Sequence, residues 1–136
     1  MRYISSSTIF LLMLALFSSV SGTNLNVAVA DDSLDGKSFL VELSETKKHE
    51  VTKDELIFKD GTFFSVECEQ YGFGPASYES KSKGDAILFK STLVSDREGK
   101  SEWEGSVKGD KITGTSIWSK EGQEPIIFTY EGNMKK

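Results

Sequence analysis

Ser101-Glu102-Trp103-Glu104-Gly105-Ser106-Val107-Lys108 is followed, across Gly109-Asp110, by Lys111-Ile112-Thr113-Gly114-Thr115-Ser116-Ile117-Trp118-Ser119. In the first run Trp103, Gly105 and Val107 share one side of a period-two alternation. Glu102, Glu104, Ser106 and Lys108 share the other. In the second run Ile112, Gly114, Ser116 and Trp118 alternate with Lys111, Thr113, Thr115, Ile117 and Ser119. Successive side chains of a strand point to opposite faces, so this pattern is that of two half-buried strands. Gly-Asp between them supplies the positive φ that a tight hairpin needs. The stretch reads as a β-hairpin.

The same reading extends outward in both directions. Lys37–Ser44 sets Phe39, Val41 and Leu43 against Ser38, Glu42 and Ser44, with Leu40 out of phase. Ile126, Phe128 and Tyr130 alternate with Ile127, Thr129 and Glu131. Asp35-Gly36, Asp60-Gly61, Gly84-Asp85, Glu98-Gly99 and Glu121-Gly122 punctuate the chain as turns. Lys-Gly-Asp occurs twice, at 83–85 and 108–110, as repeated hairpin chemistry. Eight strands are expected, over 37–44, 54–59, 62–69, 77–82, 86–95, 101–108, 111–119 and 126–133. Strand three has two phases open: Phe64, Val66 and Cys68 inward, or Phe63, Ser65 and Glu67 inward. The fold class is all-β. Eight sequential antiparallel strands with short links favour an up-and-down barrel, whose closure removes exposed edges. A two-sheet sandwich usually needs longer crossing connections.

The N-terminal part follows different rules. Arg2 precedes the apolar run Ile9–Phe17, and a segment of small residues ends in Ala28-Val29-Ala30. That order is the order of a secretory signal peptide, removed from residues 1–30. A cut after Gly22 also fits, since Val20-Ser21-Gly22 lies closer to the apolar run. The run is far short of the roughly 20 residues that span a bilayer. No cysteine adjoins either cut, so no lipid anchor is expected. The product, residues 31–136, is expected to be one barrel domain, periplasmic or secreted. Its fifteen basic and twenty-one acidic residues argue against a nucleic-acid partner. Its twelve aromatics, each burying on the order of 150–250 Å², must supply most of a small core.

The chain carries Leu34-Asp35-Gly36-Lys37-x-Phe39, Asp60-Gly61-Thr62-Phe63 and Cys68-x-x-Tyr71-Gly72-Phe73-Gly74. Further on come Trp103-x-Gly105-x-Val107-x-Gly109-Asp110 and Gly114-x-x-x-Trp118. By these turns and aromatics it resembles lipocalin-like (calycin-like) small secreted bacterial β-barrel proteins. The chain is shorter than true lipocalins and lacks their Gly-x-Trp at the first strand. The resemblance implies a barrel able to take a small molecule.

Catalysis is not expected. His49 lies in the charged stretch between strands one and two, where no base is held beside a nucleophile. Glu102 and Glu104 fall on an outward face and serve solvation. One histidine and one cysteine do not make a zinc site, and no calcium loop appears, so neither metal nor cofactor is expected. Cys68 has no intrachain partner, so burial is the expected fate of its thiol. Two regions are candidates for binding. The loop Glu69–Tyr78, with two glycines, a proline and three aromatics, either plugs a barrel end or forms a binding lip. The interior would gather Phe39, Val41, Phe58, Phe89, Trp103, Trp118, Phe128 and Tyr130, relieved by Gly105, Gly114, Gly132, Ser91 and Ser116.

The leading expectation is a monomeric protein that binds a small apolar or aromatic ligand. Tyr71, Phe73, Trp103, Trp118 and Tyr130 would make the apolar contact, and Ser116 would orient the ligand. The alternative is a protein partner, as for an envelope interaction module such as a periplasmic enzyme inhibitor, its acidic surface steering it to a basic enzyme.

Overall fold

The computed structural model describes residues 33–136. The signal segment expected over residues 1–30, with both of its cuts, lies outside the described residues. Eight antiparallel strands run in chain order around a closed barrel: β1 (Ser38–Glu45), β2 (Val51–Lys59), β3 (Thr62–Ser65), β4 (Ala76–Lys83), β5 (Ala86–Ser95), β6 (Gly99–Lys108), β7 (Lys111–Ser119) and β8 (Ile126–Met134). The expected up-and-down barrel is the observed one. β8 returns to pair with β1, placing Leu43 opposite Tyr130 and Val41 opposite Gly132, and this closes the barrel.

The turns follow from their residues. Asp60 (φ 52°) and Gly61 (φ 77°) are both left-handed, as the two central positions of a type I′ hairpin require. Both Lys-Gly-Asp turns put glycine at the first central position with positive φ, 63° at Gly84 and 60° at Gly109. Lys108 pairs with Lys111 across the second of them, and β6 and β7 stay in register from there to Lys100 opposite Ser119.

One expected strand is wrong in extent. Strand three was expected over 62–69, but β3 stops at Ser65 and one helical turn, α1 (Val66–Glu69), takes its place. The cause is local. The Ser65 side chain accepts from the Cys68 backbone N–H at 3.3 Å, as an N-cap does, and offers the chain a helical alternative to the ladder. The open phase resolves at the same point: Phe63 and Ser65 face the interior, and Phe64 does not.

Among the described residues, seven of the fourteen buried apolar side chains are aromatic rings. Phe58 touches four others, with centroids at 6.0 Å from Phe39, 5.2 Å from Phe63, 5.1 Å from Tyr78 and 4.9 Å from Phe89. Trp103 meets Phe63 and Tyr130, each at 5.3 Å. Mostly edge-on and tilted, these pairs suit the ring quadrupole. One end of the barrel is sealed by Leu34, which is fully buried. Tyr78 Oη holds that segment down, accepting from the Leu34 N–H at 3.0 Å and donating to Asp35 Oδ1 at 2.7 Å.

Candidate functional site

At the opposite end the rings do not fill the barrel. A cavity of about 280 Å³ is bounded by Leu43, Asp54, Phe73, Trp103, Trp118 and Phe128, among others. Five of the six sequence-expected binding residues line it: Tyr71, Phe73, Trp103, Ser116 and Trp118. They come from three separate elements, the loop after α1 and strands β6 and β7. Register explains how they meet. Ser101 lies opposite Trp118, and one layer deeper Trp103 lies opposite Ser116. The cavity is therefore stepped, with a tryptophan and a serine at each level.

Tyr130 is placed elsewhere. Its ring is buried beneath Gly105 and Gly114, which face each other across β6 and β7. A Cβ at either glycine would collide with Tyr130 Oη. The space expected from those glycines is thus occupied by the protein's own tyrosine. Its hydroxyl donates to Glu104 O at 2.8 Å, and burial drives its pKa well above the ordinary range.

The loop expected as plug or lip places its two aromatics differently. Phe73 is buried against the core, whereas Tyr71 is half exposed. The loop is clamped by the turn between β5 and β6. Ser95 Oγ donates to Tyr71 O at 2.8 Å, and Arg97 Nη2 donates to Gln70 O at 2.7 Å. Gly72 (φ 89°) allows the close approach, since a Cβ there would stand 2.9 Å from Ser95 Oγ.

Polar groups around the cavity divide into satisfied and unsatisfied. Asp54 is buried, and its carboxylate receives three donors. Ser65 Oγ gives a hydrogen bond of 2.5 Å to Oδ2, and the N–H groups of Glu55 and Glu67 reach Oδ1 at 2.7 and 2.9 Å. Desolvation still outweighs these bonds and raises its pKa above the ordinary 3.8. Burial likewise pushes the half-buried Cys68 thiol up to about 11, so little reactive thiolate forms at neutral pH. Trp118 Nε1 donates to Glu98 O at 2.6 Å. Ser101 Oγ and Ser116 Oγ, both buried, lie 3.3 Å apart. Among the described residues Trp103 Nε1 is the one buried side-chain polar atom without a partner. A Trp N–H so enclosed normally finds an acceptor.

Asp54 and Glu67 were missed in the sequence. Asp54 had a signal: it shares the phase of Leu56 and Phe58, so the alternation of β2 carries it inward. Glu67 sits in α1, where no period announces it. Among the described residues no three His, Cys, Asp or Glu side chains converge as a metal site would need, and no helix is long and apolar enough to cross a membrane. His49 is exposed in the loop between β1 and β2 and is not among the residues that line the cavity. No family model, curated protein or solved structure matches the chain.

Proposed function

We propose that this barrel is a lipocalin-like, non-catalytic protein of the periplasm or a secreted fluid that binds one small apolar or aromatic ligand. The observation that carries the reading is the cavity at the open end, built where the aromatic core stops. Its volume of about 280 Å³ is roughly twice that of an apolar cavity known to hold benzene. The ligand is therefore of the size of one or two fused rings. Two tryptophans, Phe73 and Phe128 supply apolar contact, and the serine pair marks an orientation. The signal-like segment before residue 31 supports the compartment. The one histidine is exposed and does not itself line the cavity, which supports the lack of catalysis.

Titration of the purified protein with uncharged naphthalene-class probes, followed by Trp fluorescence, tests the reading. A saturable change is expected, and Ser116→Leu, which places a larger side chain in the cavity, should abolish it while the far-UV spectrum stays β-type. Absence of saturable binding across such probes would overturn it.

A second reading has its own observation. Tyr71 is 51% exposed on the clamped loop, a rigid aromatic of the kind that anchors protein interfaces. With a formal charge of −5, the protein would then serve as an envelope interaction module, such as an inhibitor of a basic periplasmic enzyme. Salt-sensitive capture of such an enzyme, lost in Tyr71→Ala, is the outcome that reading expects.

A further inference from the structure

We infer that the ligand of this cavity is a cation, an aromatic or apolar body carrying one protonated amine, held by the carboxylate of Asp54 among the aromatic side chains of the wall. This rests on the ligand-binding reading and names its ligand class.

The wall carries one sign of charge. Asp54, Glu67 and Glu98 border the cavity, and no lysine, arginine or histidine does. Glu98 is matched from outside the lining by Lys120, whose Nζ lies 3.0 Å from its Oε1. Among the described residues neither Asp54 nor Glu67 has a cationic partner. Asp54 is the sharper case, because it is 8% exposed, and a carboxylate so buried normally pairs with a cation. Ser65 and two backbone N–H groups orient it without neutralising it. Its Oδ2 takes one hydrogen bond, from Ser65, which leaves a lone pair for a second donor.

The rest of the wall suits an organic cation rather than a bare ion. Tyr71, Phe73, Trp103, Trp118 and Phe128 give it an aromatic lining, and ring faces attract a partly desolvated cation. The acidic groups surround a space of about 280 Å³ without converging on a point. Among the described residues no three His, Cys, Asp or Glu side chains come together as a metal ion would need. An amine on a single ring is of a size for that space. A carboxylate ligand would instead meet two like charges that lack a cation. A pure hydrocarbon would leave Asp54 buried and uncompensated.

The test titrates the native protein at neutral pH with 2-phenylethylammonium, its neutral isostere propylbenzene and the anion 3-phenylpropanoate, followed by Trp fluorescence. The ammonium should bind more tightly than either, although propylbenzene is the more hydrophobic. The ammonium-to-propylbenzene affinity ratio should fall about tenfold in Asp54→Asn, the worth of a hydrogen bond to a charged group. It should hold in Glu131→Gln, which removes the same charge from an exposed site on β8. Ser116→Leu, which fills the cavity, should abolish binding of both. Propylbenzene or 3-phenylpropanoate binding the native protein at least as tightly as the ammonium overturns the cation assignment and leaves the binding reading intact. That comparison stands even if Asp54→Asn fails to fold. A ratio unchanged in folded Asp54→Asn, or lowered as much in Glu131→Gln, overturns the assignment too. So does ammonium binding that survives in Ser116→Leu. Failure of all three probes to bind overturns this inference and the binding reading together.

Discussion

Asp54 shows how one side chain shapes the open end. It anchors Ser65, and Ser65 in turn caps α1, so β3 ends where the cavity wall begins. Asp54→Ala would strand the Ser65 hydroxyl and two backbone N–H groups, at a cost of about 2 kcal/mol. Asp54→Asn keeps the shape: its Oδ1 still accepts both N–H groups, and its amide donates to Ser65 Oγ. Because desolvation raises the folded pKa of Asp54, the folded state binds the proton more tightly than the unfolded chain. That contribution to stability is complete below the ordinary 3.8 and is lost as pH rises through the raised value. Denaturant melts across this range should show the decline in the native protein and its absence in Asp54→Asn. At neutral pH Asp54→Asn removes the buried charge but leaves the Ser65 O–H without its acceptor, so it should stay within about 1 kcal/mol of the native chain.

At the scale of elements, the β6–β7 hairpin is the best specified part of the protein. Alternation, a Gly-Asp turn and facing glycines all select the same register, which is why its extent was legible from residues alone. The glycines have a purpose that only packing reveals. A Cβ at Gly114 would collide with Glu104 O and Tyr130 Oη, one of them rigid backbone. Gly114→Ala should therefore cost about 3 kcal/mol, whereas Gly74→Ala, with nothing within 4 Å of its Cβ, should stay within about 0.5 kcal/mol. Thermal melts of the two variants side by side check this. The β3–α1 segment is the opposite case. Thr-Phe-Phe-Ser-Val-Glu-Cys-Glu carries strand formers at Thr62, Phe63, Phe64 and Val66, yet a buried serine and an aspartate from β2 turn the chain into a helical turn after Ser65. β3 consequently meets β4 over just two registered pairs, Thr62–Ser77 and Phe63–Ala76, and α1 and its loop occupy the gap.

At the scale of the molecule, the two ends of the barrel differ, and the difference defines the site. Leu34, from the segment before β1, is fully buried at one end. Leu34→Ala should destabilise by about 3 kcal/mol, measurable in urea, and leave probe binding at the far cavity unchanged in the folded protein. Equal loss of binding and stability would instead tie the two ends together. The residues by themselves determined the strand count, the direction of most side chains and the closed topology, because period-two alternation and turn chemistry are local. They also placed Trp103, Trp118 and Tyr130 on inward-facing phases. Which of those aromatics were left facing a space was decided only in the folded barrel. Tyr130 and Trp103 are equally good candidates as sequence, since both are large and inward in phase. Cross-strand register sets Tyr130 beneath two glycines and Trp103 beside two serines, and register depends on contacts between strands distant in the chain. Hence one ring completes the core, and the other borders a cavity with its N–H unpaired.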